Sequence, residues 1–385
     1  MILYASAGVG KKAYSGGQWF DQLADSLESS YPNLDWGNRR FIIPYAFRNV
    51  RRLSLEEISC NRAYAWSALK KRLALADYKG TNRGLVRFIR KLNPSLVIAS
   101  WAPEDLILAC RHHGVPIIEI LHGHGYDTVP FGYGNKDGHM IPDGFVTFDR
   151  TSFSTFTQHF EASKHVIQLS KRELFSNEKE DPLFCEYDSE SVPALSNSRP
   201  NILVTLSARK NVDGCGVSLE PEELIDPYLL ALILQTSSRY AWQIRPHPCT
   251  LRQLRFRAQL RKLRQLARYL RGAADVSFRP EPLSSLAREL KLHVTYASEC
   301  AVELAEFGVN TMQLTEWLPP SPEVSFDDLA IAGTLRRTPY REVGLGLTCA
   351  LESSVDPTWR SAYFEPRGRF DQMVFDLVGG SKNGQ

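Results

Sequence analysis

The sequence predicts an α/β protein built from two Rossmann-like, doubly wound domains facing a cleft. Three observations carry that expectation. Short continuous apolar runs alternate with helical patterns, which is the signature of parallel strands buried on both faces. The alternation is interrupted once, at 173–198, by a stretch rich in acids, serine and proline, and then restarts. At 385 residues the chain exceeds what one hydrophobic core usually holds. The expected division is a first domain over 1–170, a linker over 171–199, a second domain over 200–350, and a C-terminal segment, 351–385, that crosses back to the first domain.

In the first half, residues 2–7 (ILYASA) read as a strand leading into a turn with Gly8 and Gly10. A helix is expected over 17–30 and a strand over 40–44 (RFIIP). Helical periodicity covers 56–78 and 82–92, and Pro94 closes that region before the strand 95–100 (SLVIAS). A helix over 103–113 has Pro103 at its start and Gly114 just past its end, where each belongs. Strands follow at 115–121 (VPIIEIL) and 143–148 (DGFVTF). In the second half, strands are expected at 201–207, 240–244, 275–278, 292–297 and 309–314. Helices are expected at 222–237, 251–271, 283–290 and 299–307.

Composition narrows the function classes. Hydrophobic residues make up 43 % of the chain and charged residues 23 %, ordinary for a globular protein and too apolar for a disordered one. The formal net charge of +3 argues against a generic nucleic-acid binder. Seven cysteines, an odd number at wide spacings without a CxxC pair, argue against a disulfide framework or a structural zinc. The N-terminus lacks the basic region and apolar run of a signal peptide, and no apolar stretch approaches a spanning helix. A cytoplasmic protein is expected.

In open α/β sheets, ligands bind beyond the carboxyl ends of the strands, so the informative residues follow each strand. After 115–121 comes His122-Gly123-His124-Gly125-Tyr126. Its imidazoles suit substrate binding or general base catalysis near neutral pH. The same run also reads as an ordinary glycine-rich loop, and it has no companion ligands for a metal. Glu119, inside the strand, is expensive to bury without a partner. Glu104 and Asp105 follow the strand 95–100 and read either as an acid/base pair or as acids favoured by a helix N-terminus.

After 201–207, Arg209, Lys210, Asp213 and Gly214 could hold a phosphate and supply a carboxylate, or form a solvated turn. Strand 240–244 runs into Arg245-Pro246-His247-Pro248. There two prolines fix where His247 points, and both basic side chains can donate to a phosphate. Strand 292–297 runs into Ser298-Glu299, with Glu303 one turn on and Gly308 as a helix stop. Ser298 is expected to be the N-cap of that helix, and capping alone would account for it.

Arg-Pro-His-Pro at 245–248 and Ser-x4-Glu-x4-Gly at 298, 303 and 308 resemble the nucleotide-binding half of GT-B glycosyltransferases. The likeness is to bacterial sialyltransferases, polysialyltransferases, Kdo transferases and CDP-glycerol glycerophosphotransferases. His122-Gly123, Gly132-Tyr133 and Pro142-Asp143 resemble the acceptor-domain pattern of capsule and O-antigen enzymes. Two positions depart from the pattern: Glu299 stands where a second serine is usual, and Asn310 where a proline is usual. The resemblance implies transfer of a sugar from a nucleotide donor, a CMP-sugar such as CMP-Kdo or CMP-sialic acid, to a surface glycan or glycolipid. It implies no metal and no cofactor beyond that donor.

Arg209, Arg245, His247, Ser298, Glu299 and Glu303 would then face the nucleotide. Glu119, His122 or Asp213 would act as base or nucleophile, with His124, Tyr126 and Glu104 on the acceptor side. The alternatives are a polyol-phosphate transferase, a sugar-nucleotide epimerase and a two-lobed small-molecule binding protein.

One segment stands apart in charge. Residues 251–271 hold Arg252, Arg255, Arg257, Arg261, Lys262, Arg264, Arg268 and Arg271 and no acid, so the rest of the chain is net acidic. Phe256, Leu260, Leu263, Ala267 and Leu270 form an apolar stripe for packing on the sheet, and arginines repeat the same spacing one residue later. The cationic stripe reads as a solvated helix face, or as a contact for anionic lipid or an anionic glycan. With the latter, the protein would sit peripherally at the inner face of the cell membrane.

Overall fold

The computed structural model describes residues 1–6, 12–15, 18–42, 83–100, 102–121, 123–130, 132–174, 199–206, 224–246, 257–278, 283–317, 325–353 and 357–380. The helix expected over 56–78 and most of the stretch 173–198 lie outside them. The chain divides into two compact units, Met1–Glu180 with Glu365–Gln385, and Asp181–Phe364.

The first unit is a six-stranded parallel sheet. Its strands are β1 (Ile2–Ser6), β4 (Trp36–Ile42), β5 (Leu96–Ala99), β6 (Ile117–Ile120), β7 (Gly144–Thr147) and β8 (His165–Gln168), in the order β4-β1-β5-β6-β7-β8. Its interior strands are wholly buried, as their continuous apolar runs require. On one face, Val97, Ala99 and Ile117 pack against α2 (Arg83–Leu92) and α3 (Glu104–His112). On the other, Ile98, Ile118 and Val146 meet Leu23 and Leu27 of α1 (Gln22–Ser30). The same cluster takes in Phe370, Met373 and Val374 of the C-terminal helix Phe370–Gly380, so the end of the chain completes the core of the first unit.

Three local details differ from the pattern read in the sequence. Residues Gln18–Asp21 are a strand, β3, paired antiparallel with β2 (Lys12–Ser15), so α1 begins later than expected. Tyr14 stands opposite Trp19 in the register of that hairpin. The strand expected over 40–44 begins earlier, at Trp36. Its first residue is anchored by the Trp36 indole donating to the Tyr31 carbonyl at 2.8 Å.

The second unit is also a six-stranded parallel sheet. Its strands are β9 (Asn201–Thr205), β10 (Ala241–Arg245), β11 (Ala274–Val276), β12 (Leu290–Thr295), β13 (Thr311–Thr315) and β14 (Leu335–Pro339), in the order β11-β10-β9-β12-β13-β14. One face is strongly apolar: Ile202, Val204, Trp242, Ile244 and Val294 pack against helices Pro227–Thr236, Arg257–Tyr269 and Val343–Glu352. The opposite face has a small apolar cluster, Leu203 with Leu283, Ala287, Leu304 and Val309. Much of that face is polar.

The direction of winding reverses beside the first strand of each sheet, between β1 and β5 and between β9 and β12. Ligands of such sheets bind at the carboxyl ends of the strands at this reversal.

Candidate functional site

At the reversal in the second unit, register places Arg245, Thr205, Thr295, Gln313 and Arg337 side by side across five strands. In-register neighbours of a parallel sheet project to the same face. The row is therefore polar from end to end, on the face where apolar packing is sparse. Behind it lies His293, fully buried.

The hydroxyls fix the imidazole tautomer. Thr205 Oγ1 donates to Thr295 Oγ1 at 3.1 Å, and Thr295 Oγ1 donates to the Thr205 carbonyl at 3.2 Å. With its proton committed, Thr205 Oγ1 accepts from His293 Nε2 at 2.8 Å. Nδ1 is then the acceptor for the Thr311 hydroxyl at 3.0 Å. Burial pushes the His293 pKa down to about 3, so the ring is neutral.

This network reaches the loop after β12, because Ser298 N donates to Thr295 Oγ1 at 3.2 Å. Ser298 Oγ in turn accepts from Cys300 N at 3.3 Å. The expected N-cap is shifted by one residue. Glu299 occupies that position before the helix Cys300–Glu306, with helical backbone angles and no side-chain cap. The cause is local: with its amide held by Thr295, Ser298 starts a tight turn in which Ala301 N donates to Ser298 O and Val302 N to Glu299 O.

Four residues singled out in the sequence act on one thiol here. Burial pushes the Cys300 pKa up to about 11, with Glu303 raising it further. The Ser298 hydroxyl and the Arg245 charge oppose that, and Glu299 adds to the rise. Arg245 ends β10 in register with Thr205 and Thr295, and Ser298 and Glu299 follow β12 ahead of the helix that carries Glu303. Arg209, Asp213 and His247 lie outside the described residues.

In the first unit, Glu119 sits in the wholly buried strand β6. Its Oε2 accepts from the Tyr133 hydroxyl at 2.5 Å. Desolvation raises its pKa to about 7, against the Tyr133 hydroxyl, the Ala102 backbone and the charge of Lys136. Gly132 makes the contact possible: its φ of +69° turns the chain into the one-turn helix Tyr133–Asn135, which delivers Tyr133 to the core. Glu119 is therefore closed off from solvent beneath Tyr133, and an acceptor could not touch it directly.

The His-Gly loop is held from behind. Gly125 N donates to Asp149 Oδ2 at 3.1 Å, and Tyr126 N donates to Ser152 Oγ at 3.1 Å. Ser152 Oγ donates to Asp149 Oδ2 at 2.8 Å, while Asp149 Oδ1 caps the helix Arg150–Phe160 through Ser152 N at 2.9 Å. His124 and Tyr126, expected on the acceptor side, are each only 2 % exposed, and His124 tilts against Phe148. Glu104 lies half-buried in the first turn of α3, where an acid suits the helix dipole. His122 lies outside the described residues. Asp143, from the Pro-Asp pair, joins Arg111 at 2.5 Å and accepts from Ile117 N at 2.9 Å, tying the start of β6 to α3.

Sequence reasoning passed over Tyr133 as a partner for Glu119, Asp149 as the loop anchor, and the Thr205–His293–Thr311 network. Among the described residues, no group of three or more His, Cys, Asp or Glu is placed to hold a metal ion. No described helix is long and apolar enough to cross a membrane.

No family model matches the sequence, and no curated protein matches it. Solved structures do. MnaA of S. aureus with UDP shares 13 % identity at a TM-score of 0.57, over 99 % of this chain and 96 % of that one. The UDP-GlcNAc 2-epimerase of Methanocaldococcus jannaschii in complex with UDP-GlcNAc and UDP shares 12 % at 0.55, over 100 % of both chains. That of Rickettsia bellii shares 10 % at 0.56, over 100 % and 98 %. At such identities the likeness establishes the fold: two Rossmann-like α/β units of the GT-B type.

Proposed function

We propose that the protein is a glycosyltransferase that uses a nucleotide-sugar donor, with the nucleotide held by the second unit. The observation that supports this most is the placement of Arg245 at the carboxyl end of β10 and of Ser298 and Glu299 just after β12, leading into the helix that carries Glu303. A departing phosphate gains negative charge as the glycosidic bond breaks. Arg245, the Ser298 hydroxyl and His247 are donors suited to stabilising it. Glu303 would contact the ribose, and Arg209 would extend the basic side of the site.

The acceptor, a surface glycan or glycolipid, would be deprotonated by His122 or Asp213. Glu119 serves behind that loop, fixing Tyr133, because it has no open face of its own. The sequence motifs favour a CMP-sugar as donor, within the superfamily that also contains the polyol-phosphate transferases. Donor screening separates the two.

The experiment is turnover of CMP- and UDP-sugars with and without a glycan acceptor, for the native protein and His247→Ala. Nucleotide release that depends on acceptor is expected. The variant should lose about 10²–10³-fold, the scale for removing one transition-state donor. A folded variant with full activity would overturn the donor-site assignment. A second reading, a sugar-nucleotide epimerase, is favoured by the whole-chain likeness to UDP-GlcNAc 2-epimerases. It predicts acceptor-independent inversion of one sugar carbon with the nucleotide retained in the product.

A further inference from the structure

The helix Arg257–Tyr269 packs Leu263, Leu266 and Leu270 into the core of the second unit. The buried set differs from the sequence stripe, of which Leu260 and Ala267 are only half-buried. Leu266 joins it, and Lys262 is drawn in to 9 % exposure, leaving the basic face. What remains outside is an arginine row: Arg261, Arg264 and Arg268 on the helix and Arg271 in the turn that follows, all exposed. The three helical arginines span roughly 10 Å along the axis. Among the described residues, none of the four makes an ion pair, and no acid occurs between 257 and 274. Asp275, the next acid along the chain, pairs with none of them. Between Arg268 and Arg271 stands Tyr269, 63 % exposed.

A row of unneutralised guanidinium groups with a large exposed aromatic beside it is costly to leave without a purpose. Like charges at three- and four-residue spacing repel each other, and the tyrosine adds apolar area in water. We infer that this face is a docking surface for an anionic lipid bilayer. Two features favour a bilayer over an anionic glycan chain. The row presents four like charges with no acid between them, which suits a surface dense in anionic headgroups. Tyrosine beside basic residues is the side-chain pair that suits the headgroup level of a membrane. The guanidinium groups would meet lipid phosphates, and Tyr269 would lie at the headgroup boundary.

The test is vesicle flotation with phosphatidylcholine alone and with phosphatidylcholine mixed with an equal part of phosphatidylglycerol, each at low and high salt. Binding is expected only to the anionic vesicles and is expected to fall at high salt. Each basic residue near such a surface contributes roughly fivefold to partitioning, so Arg264→Gln with Arg268→Gln should weaken it about 25-fold. Tyr269→Ala should weaken it at both salts by the same factor, because its contribution is not electrostatic. Thermal melting and nucleotide binding of these variants should match the native protein, since neither arginine belongs to the donor site. Equal recovery with and without phosphatidylglycerol would overturn the inference. So would binding to a soluble anionic polysaccharide without binding to vesicles, which would assign the row to a glycan. Neither result bears on donor binding, which is read separately.

Discussion

Replacing Glu119 with Gln should remove a pH dependence of stability from the first unit. The carboxyl is wholly buried and its pKa rises from 4.5 to about 7. Between those values the unfolded chain releases the proton and the folded chain keeps it, so stability falls as pH rises. At about 1.4 kcal/mol per pH unit, the native protein loses about 3 kcal/mol on going from below pH 4.5 to above pH 7. Glutamine preserves the acceptor for the Tyr133 hydroxyl and does not titrate. The advantage of the variant over the native protein should therefore grow by about 3 kcal/mol across that range, on top of any constant offset. The assay is urea unfolding at a series of pH values, read by hydrogen exchange in peptides covering β5, β6 and β7. Parallel profiles for the two proteins, separated by a constant difference, would refute the argument that Glu119 is held protonated by burial.

Other outcomes follow from the same packing. His293, held at about 3, should act in the opposite direction: its contribution to the second unit is present above pH 6.5 and lost as pH falls toward 3, and His293→Gln should flatten that loss in acid melting curves. Phe370→Ala should destabilise the first unit by about 3–5 kcal/mol in denaturant titration, although it lies at the far end of the chain, because its ring is fully buried against Tyr31 and Trp36. Gly346→Ala should cost the second unit about 1–3 kcal/mol, since a methyl group would stand 2.5 Å from Thr338 Cγ2 and 3.0 Å from Met312 Sδ; an unchanged melting temperature would contradict the close approach.

What the sequence disclosed, it disclosed through burial. SLVIAS and NILVTLS are continuous apolar runs because β5 and β9 are covered on both faces, and those elements stand where the pattern puts them. The edge strands β8 and β14 lack that signal. His165 is exposed, and β14 carries Arg336 and Arg337 and ends on Pro339, as suits strands with one free edge. Site residues divide the same way. Arg245 and Ser298 were legible because they immediately follow recognisable strands.

The Thr205–His293–Thr311 network was not, since threonine is an ordinary strand residue and only the register of three strands brings these side chains together. Tyr133 carried a weak signal: a glutamate inside an apolar strand must have a buried partner, but nothing local says which residue of the following loop supplies it.

The central claim is that the reversal point of the second sheet holds the nucleotide of a sugar donor. It is tested most directly by thermal melting of the native protein and Arg245→Gln with CMP, CDP, UDP and GDP. Binding stabilises by RT ln(1 + [L]/Kd), about 2.7 kcal/mol at a hundredfold excess over Kd. The account predicts that at least one of these nucleotides raises the native melting temperature and that the shift shrinks sharply in Arg245→Gln. No shift with any nucleotide, or an equal shift in the variant, would contradict it.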